Sequence, residues 1–233
     1  MVDSDSSVCL YSQLFLCLET CCVWTTNADY VVGTKNLRKS RLDLDFPGAH
    51  SATIGAMTTI IGVQGKEGCL LAADSRTTGE TGRPYCHEFV EKITERGHYM
   101  IACSGDADAC DIIQHQWNPP KPPKLDKSHY KFMVTEVSTS LKQCLKDKGY
   151  EKDKSDKDSG FLVLIALNGT LYEVDETCTV SMRDDGVYGI GSGSKYAIGA
   201  LQAGADWNTA LIIAEKNDIY TARPFIYRRQ VKI

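Results

Sequence analysis

A serine or threonine hydroxyl is a poor nucleophile at neutral pH unless a base stands beside it, and this sequence offers no conventional one. It has no Gly-x-Ser-x-Gly elbow, and its five histidines (His50, His87, His98, His115, His129) stand in no triad setting. A threonine freed at a chain terminus meets the need differently, because its own α-amine, with a pKa of about 8, takes the hydroxyl proton. Thr58 is placed for that chemistry: it follows Met57, opens the first clear strand, and lies where the composition turns from irregular to that of a packed domain. Strand-loop geometry brings Asp74 toward it, and a following strand delivers Lys92. A buried lysine near amine and hydroxyl favours their deprotonated forms and sharpens the nucleophile. Singly, each residue has a plain structural role: Asp74 as turn former, Lys92 as surface charge, Thr58 as ordinary strand. Only their combination is chemical.

These residues need elements to hold them. Residues 59–63 and 69–73 are short apolar runs of β type, joined by a hairpin connection at 64–68. Residues 74–84 read as a polar loop, strands follow from 91 and over 99–103, and Asp106 caps a helix reaching about Trp117. The segment 118–124 carries four of the seven prolines and must break that helix. Phe132, Val134, Val137, Leu141 and Leu145 recur at helical spacing over 130–146. The charge run 146–158 is a solvated connection. A strand over 161–167 turns at Asn168-Gly169 into 170–174. A strand over 187–190, helices over 195–203 and 206–216, and a strand over 220–231 complete the chain. Strands, two helices, strands, two helices, strand: the order predicts an α+β, four-layer αββα sandwich of two antiparallel sheets flanked by helix pairs.

Composition closes off other classes. The chain has 233 residues, 42% apolar and 24% charged, with a formal net charge of −4, so nothing favours a polyanionic partner, and no nucleic-acid binding is expected. No apolar stretch is long enough to span a membrane. The run 8–24 is preceded by Asp3 and Asp5 rather than by the basic residues of a signal peptide, so the chain reads as cytoplasmic. Ten cysteines would suit a disulfide scaffold only in a much shorter chain; the six between Cys69 and Cys178 read as reduced core thiols. No CxxC or HExxH occurs and Cys86-His87 is an isolated pair, so neither metal nor cofactor is expected.

The run Thr58-Thr59-Ile60-Ile61-Gly62-Val63 with Gly68-Cys69-Leu70-Leu71-Ala72-Ala73-Asp74-Ser75-Arg76 resembles the start of a mature proteasome β-type subunit, an N-terminal-nucleophile threonine peptidase. Further blocks agree in order: Glu91-Lys92-Ile93, residues 102–107, residues 189–194, and Asp218-Ile219-Tyr220-Thr221. The resemblance covers nearly all of 58–233 and none of 1–57. It implies the N-terminal-nucleophile hydrolase fold, with Thr58 as nucleophile and its amine as proton acceptor. Asp74 and Lys92 become the buried tuning pair, with Arg76 supporting Lys92. Ser192, Asp218 and Thr221 would organise the proton path near the amine. The Gly105 N–H would face the oxyanion, and Thr78, Gly105 and Ala107 would offer backbone groups to an extended substrate. Thr77 and Cys103 match positions that shape the first specificity pocket, implying a neutral, medium-sized apolar side chain.

The sequence also departs from that pattern. Asp74 and Lys92 stand two residues further apart than is usual, Thr221-Ala222 replaces Ser-Gly, and the stretch from Ser192 to Asp218 is short. The economy is that of HslV-like rings or short proteasome-like proteins of bacterial or phage type. Residues 1–57 are expected to be an extension absent from the mature protein or a propeptide, with the peptidase domain over 58–233. If they stay attached, Thr58 has no free amine. The resemblance implies a protein or peptide substrate, self-assembly into a ring, and an α-type subunit or ATP-dependent unfoldase as partner. Two rivals remain: an amidase of the same nucleophile class acting on a small amide, and a silent structural ring subunit. A phosphate-loop reading of 189–194 lacks the third glycine of GxGxxG and a following GK[ST].

Overall fold

Successive side chains on a strand point to opposite faces, and here that alternation builds three separate cores. The computed structural model describes residues 58–78, 84–86, 91–124, 129–150 and 160–232, all within one compact unit, Gly48–Ile233. The expected extension 1–57, His87 and most of the charge run lie outside the described residues.

One sheet has four strands in the order β10-β1-β2-β11: β1 (Thr59–Gln64), β2 (Gly68–Ala73), β10 (Val187–Gly191) and β11 (Ile226–Val231). The second large sheet has five in sequence order: β5 (Ile93–Arg96), β6 (Tyr99–Gly105), β7 (Phe161–Leu167), β8 (Thr170–Asp175) and β9 (Val180–Ser181). All ladders are antiparallel. Ile60, Leu71, Ile93, Met100, Leu164, Leu171 and Tyr188 fill the core between the sheets. The opposite faces of β1 and β2, carrying Ile61, Leu70 and Ala72, pack on α4 (Ser194–Gln202) and α5 (Trp207–Asn217). Tyr99, Ile101, Val163, Ile165, Tyr172 and Val174 face the other helix pair.

That second pair is continuous through two π-helical turns. α1 (Ala107–Asp111) runs into a π turn over Ile112–Gln116; α2 (His129–Phe132) runs through a π turn over Met133–Val137 into α3 (Ser138–Asp147). Helix, sheet, sheet, helix: the fold is the αββα sandwich the pattern predicts, with four helices among the described residues.

The predicted punctuation acts through identifiable groups. The Asp106 carboxylate accepts from Ala109 N at 3.0 Å, and Asp206 accepts from Thr209 N at 2.8 Å, each satisfying an N–H that the helix start leaves over. Asn168 and Gly169 have φ of 50° and 72°, the pair of positive angles a two-residue hairpin loop needs. The proline-rich segment 118–124 is neither helix nor strand; Tyr99 Oη donates to the Pro120 carbonyl at 2.6 Å.

Two expectations need correction. The loop expected over 74–84 includes a short hairpin, β3 (Arg76–Thr78) on β4 (Pro84–Cys86). The strand expected over 220–231 starts only at Ile226, because Thr221 N donates back to Asp218 O at 3.1 Å in a tight turn. That turn presents the Asp218 side chain rather than a ladder edge.

Two outcomes follow. Leu164 is fully buried between the sheets, so Leu164→Ala should cost about 2–5 kcal/mol in denaturant unfolding; a cost below about 1 kcal/mol would place the core elsewhere. Burial raises Cys178 to about 11 and Cys69 and Tyr172 to about 12, against ordinary values of 9.0 for the thiols and 10.0 for the phenol. Their neutral forms are favoured by folding, so this stability is intact below about pH 9 and is lost as pH rises toward about 12. The melting temperature should therefore stay level up to about pH 8.5 and decline above about pH 9. A level profile through pH 11 would contradict the burial.

Candidate active site

The register of the four-stranded sheet dictates what gathers at the start of β1. The hairpin pairs Ile60 with Ala73, so the next step places Asp74 beside Thr59, and Asp74 N donates to Thr59 O at 3.1 Å. On the other flank Thr59 pairs with Gly191, which puts Ser192 next to Thr58. Strand β11 pairs Ile226 with Ala73, so the chain leading into it crosses the same end of the sheet; Ser75 N donates to Ala222 O at 3.0 Å. Lys92 arrives from the other sheet, one residue ahead of β5.

Asp74 is fully buried. Its Oδ1 accepts from Thr58 Oγ1 at 2.7 Å, Thr59 N at 2.9 Å and Lys92 Nζ at 2.7 Å. Its Oδ2 accepts from Arg76 N at 3.0 Å and Ala222 N at 3.1 Å. A buried carboxylate is tolerated when its oxygens are satisfied and a countercharge stands beside it, and both conditions hold.

Lys92, 8% exposed, also donates to Arg76 O at 2.5 Å and to Thr58 Oγ1. The Thr58 hydroxyl thus donates to a carboxylate and accepts from an ammonium. Such an arrangement lowers the cost of an alkoxide on that oxygen, because the cation touches the atom where negative charge would form. Arg76 takes part through its backbone N–H and carbonyl; its guanidinium donates to Ile219 O.

A second cluster adjoins the first. Asp218 Oδ2 accepts from Ser192 Oγ at 2.8 Å and from Thr221 Oγ1 at 2.6 Å. Thr59 Oγ1 lies 2.6 Å from Thr221 Oγ1. Since the single Thr221 proton goes to the carboxylate, Thr59 donates, and the hydroxyls run Thr59 to Thr221 to Asp218. Ser192 Oγ also lies 3.4 Å from the Thr58 carbonyl.

Thr59 escaped the sequence analysis. Its signal was slight: a hydroxyl in an apolar strand, buried with no exposure. The glycine-rich block 189–194 closes on this cluster. A Cβ on Gly193 would meet Thr59 Oγ1 at 2.2 Å, Thr221 Oγ1 at 2.6 Å and Asp218 Oδ2 at 2.9 Å. The glycine lets a strand-to-helix turn approach hydroxyls and a carboxylate, a setting that repels a phosphate.

The other singled-out residues lie around this centre. Gly105 ends β6 at φ +117° and shares with Ser104, Phe161, Asp175 and Gly191 the lining of a cavity of about 420 Å³. A side chain at 105 would meet Gly160 O at 2.1 Å, so only glycine fits. Thr77 and Thr78 lie on β3, and Ala107 opens α1. Cys103 is buried in the helix-side core; burial first, and then Cys110 beside it, pushes its thiol well above the ordinary range. Buried thiols of this kind are inert. Among the described residues no group of histidine, cysteine and carboxylate side chains could hold a metal, and no helix is long and apolar enough to cross a membrane.

No protein-family model and no curated protein matches the sequence. Solved structures do. Thiobacillus denitrificans BPH in complex with epoxomicin matches with a TM-score of 0.61 and 25% identity, over 76% of this chain and 100% of that one. Eukaryotic HslV from Trypanosoma brucei matches at TM-score 0.53 and 17% identity, over 75% of this chain and 99% of that one. Anbu, an ancestral beta-subunit from Yersinia bercovieri, matches at TM-score 0.55 and 12% identity, over 75% and 81%. The chain therefore has the fold of the N-terminal-nucleophile hydrolases, in the form it takes in HslV and Anbu.

Proposed function

We propose that this protein is a proteasome-like threonine endopeptidase whose nucleophile is Thr58 once cleavage after Met57 has made it the N-terminus. The observation that carries this is the Thr58 hydroxyl held between the Asp74 carboxylate and the Lys92 ammonium at the start of a strand. The likeness to a Thiobacillus protein that binds epoxomicin supports it.

In this mechanism the Thr58 α-amine takes the Oγ1 proton, directly or through a water, while the oxygen attacks the peptide carbonyl carbon. Lys92 steadies the developing alkoxide and Asp74 holds Lys92. The Gly105 N–H receives the oxyanion. Collapse breaks the C–N bond, the leaving amine takes the proton from the Thr58 ammonium, and water then hydrolyses the ester. Ser192, Asp218 and Thr221 orient the amine end of Thr58. The substrate lies extended along the backbone of Thr78, Gly105 and Ala107, with its first side chain toward Thr77 and Cys103.

Residues 1–57 are absent from the active protein, either as a propeptide that is removed or as an extension that the mature chain does not carry. While they remain attached, the Thr58 nitrogen is an amide and cannot serve as base, so the unprocessed chain is inactive. The mature subunits assemble into a cytoplasmic ring that confines the sites and works with an α-type subunit or an ATP-dependent unfoldase as partner.

Two measurements test this. The intact mass and N-terminal sequence of active protein should show a chain beginning at Thr58; activity from a chain still carrying Met57 would overturn the mechanism. In the processed protein, Thr58→Ala and Lys92→Met should each lower peptide turnover by about 10³-fold or more, the scale set by removing members of a nucleophile-base unit. Epoxomicin should label the parent and not Thr58→Ala. Parental turnover in Thr58→Ala would exclude Thr58 as nucleophile.

A further inference from the structure

Lys92 is buried but sits just outside the ladder of its strand. It lies one residue ahead of β5, before the first ladder pair of that strand, Ile93 with Ala102. Its ammonium must nevertheless hold a fixed place against Thr58 Oγ1, Asp74 Oδ1 and Arg76 O. A lysine side chain has four rotatable bonds, so the position of its Nζ depends on how firmly its own backbone is set.

A side chain from the helix layer sets it. Gln114 Nε2 donates to the Lys92 carbonyl oxygen at 2.9 Å, and Gln114 is only 7% exposed. It belongs to the π turn Ile112–Gln116, which Trp117 N closes by donating to Ile112 O at 2.9 Å. Ile112, Ile113 and Gln114 are all buried, yet successive helical residues diverge by about 100°, so three in a row cannot share a face. Ile112 and Ile113 join the helix-side core, while Gln114 reaches Lys92. A glutamine at a buried helix position, with its amide spent on a carbonyl 22 residues earlier in the chain, gives up apolar packing to pair a backbone acceptor that a leucine would leave without this donor. Wide turns of this kind recur at functional sites.

We propose that Gln114 is a positioning residue for the reaction: its amide fixes the backbone of Lys92 and thereby the ammonium that faces the Thr58 hydroxyl. This inference rests on the threonine-peptidase proposal above. Gln114 touches neither substrate nor reacting atoms and acts through Lys92 alone. The groups that face Thr58 are Lys92, Asp74, Ser192 and, through Thr59 and Thr221, Asp218; Gln114 bears on the first of these.

The test is kinetic, on processed protein beginning at Thr58. Gln114→Met keeps the side-chain length and removes the donor. It should lower kcat by about 10- to 100-fold, the effect of misplacing a reacting group by about an ångström, with KM within about twofold of the parent. A cation that sits less well near the Thr58 amine lowers its pKa less, so the acid limb of the pH–kcat/KM profile should move to higher pH. Gln114→Asn, which keeps the amide on a shorter arm, should fall between the two and supplies the answer if the methionine variant does not fold. In a Lys92→Arg background the effect of removing the donor should shrink, because residues acting through one another are not additive. A parental kcat in both variants, an acid limb that does not move, or a loss fully additive with Lys92→Arg would overturn the inference. Thr58→Ala and Lys92→Met run alongside separate the two failures. Parental turnover in those overturns the peptidase proposal and this inference with it; their loss beside a parental Gln114→Met overturns this inference alone.

Discussion

A carboxylate with no solvent contact organises this molecule. Taking a charge out of water costs several kcal/mol even after relaxation, and the fold can hold Asp74 there only by bringing donors to it from separate places in the chain. They come from the start of β1, the exit of β2, the approach to β11 and the approach to β5. Both sheets must be correctly assembled before these donors meet. The same contacts that satisfy the carboxylate align the Thr58 hydroxyl and the Lys92 ammonium, so stability of the site and its chemical poise have one origin.

The layers divide the labour. Antiparallel register places Asp74 and Ser192 on the two flanks of β1, because a central strand has neighbours on both sides. The helix pair of α4 and α5 closes the outer face and leaves the turn before β11 to deliver Asp218, Thr221 and the Ala222 N–H. The opposite helix pair reaches the centre through Gln114. Close approach around Gly193 leaves no room for a side chain. Buried polar networks of this kind tolerate little change, since any donor left unmade inside a low dielectric is costly.

Much of this was legible in the residues. Short apolar runs of β type marked most of the strands, Asp106 and Asp206 marked helix starts, and Asn168-Gly169 marked a hairpin, because each is a local demand that any fold must meet. Other features were not. The pairing of β3 with β4 and the late start of β11 hide in polar segments whose partners are distant in sequence. The extra residue of a π turn has no local mark in the sequence, so Gln114 reads as one more polar position on a surface helix. Thr59 looks like an ordinary strand residue until Thr221 is placed 2.6 Å away.

The sequence by itself determined the layer order and the candidate chemistry: a threonine opening a strand, with an aspartate and a lysine at spacings two strands can bring together. Spacing along the chain constrains neighbours within a hairpin, and Asp74 follows from that. It says nothing about contacts across a sandwich. Only the tertiary structure decided that one buried carboxylate collects donors from four segments, that a cluster of three hydroxyls converges on Asp218, and that a helix-borne amide grips the backbone of Lys92. Those contacts join residues far apart in sequence, and they form only when two sheets and two helix layers pack at once.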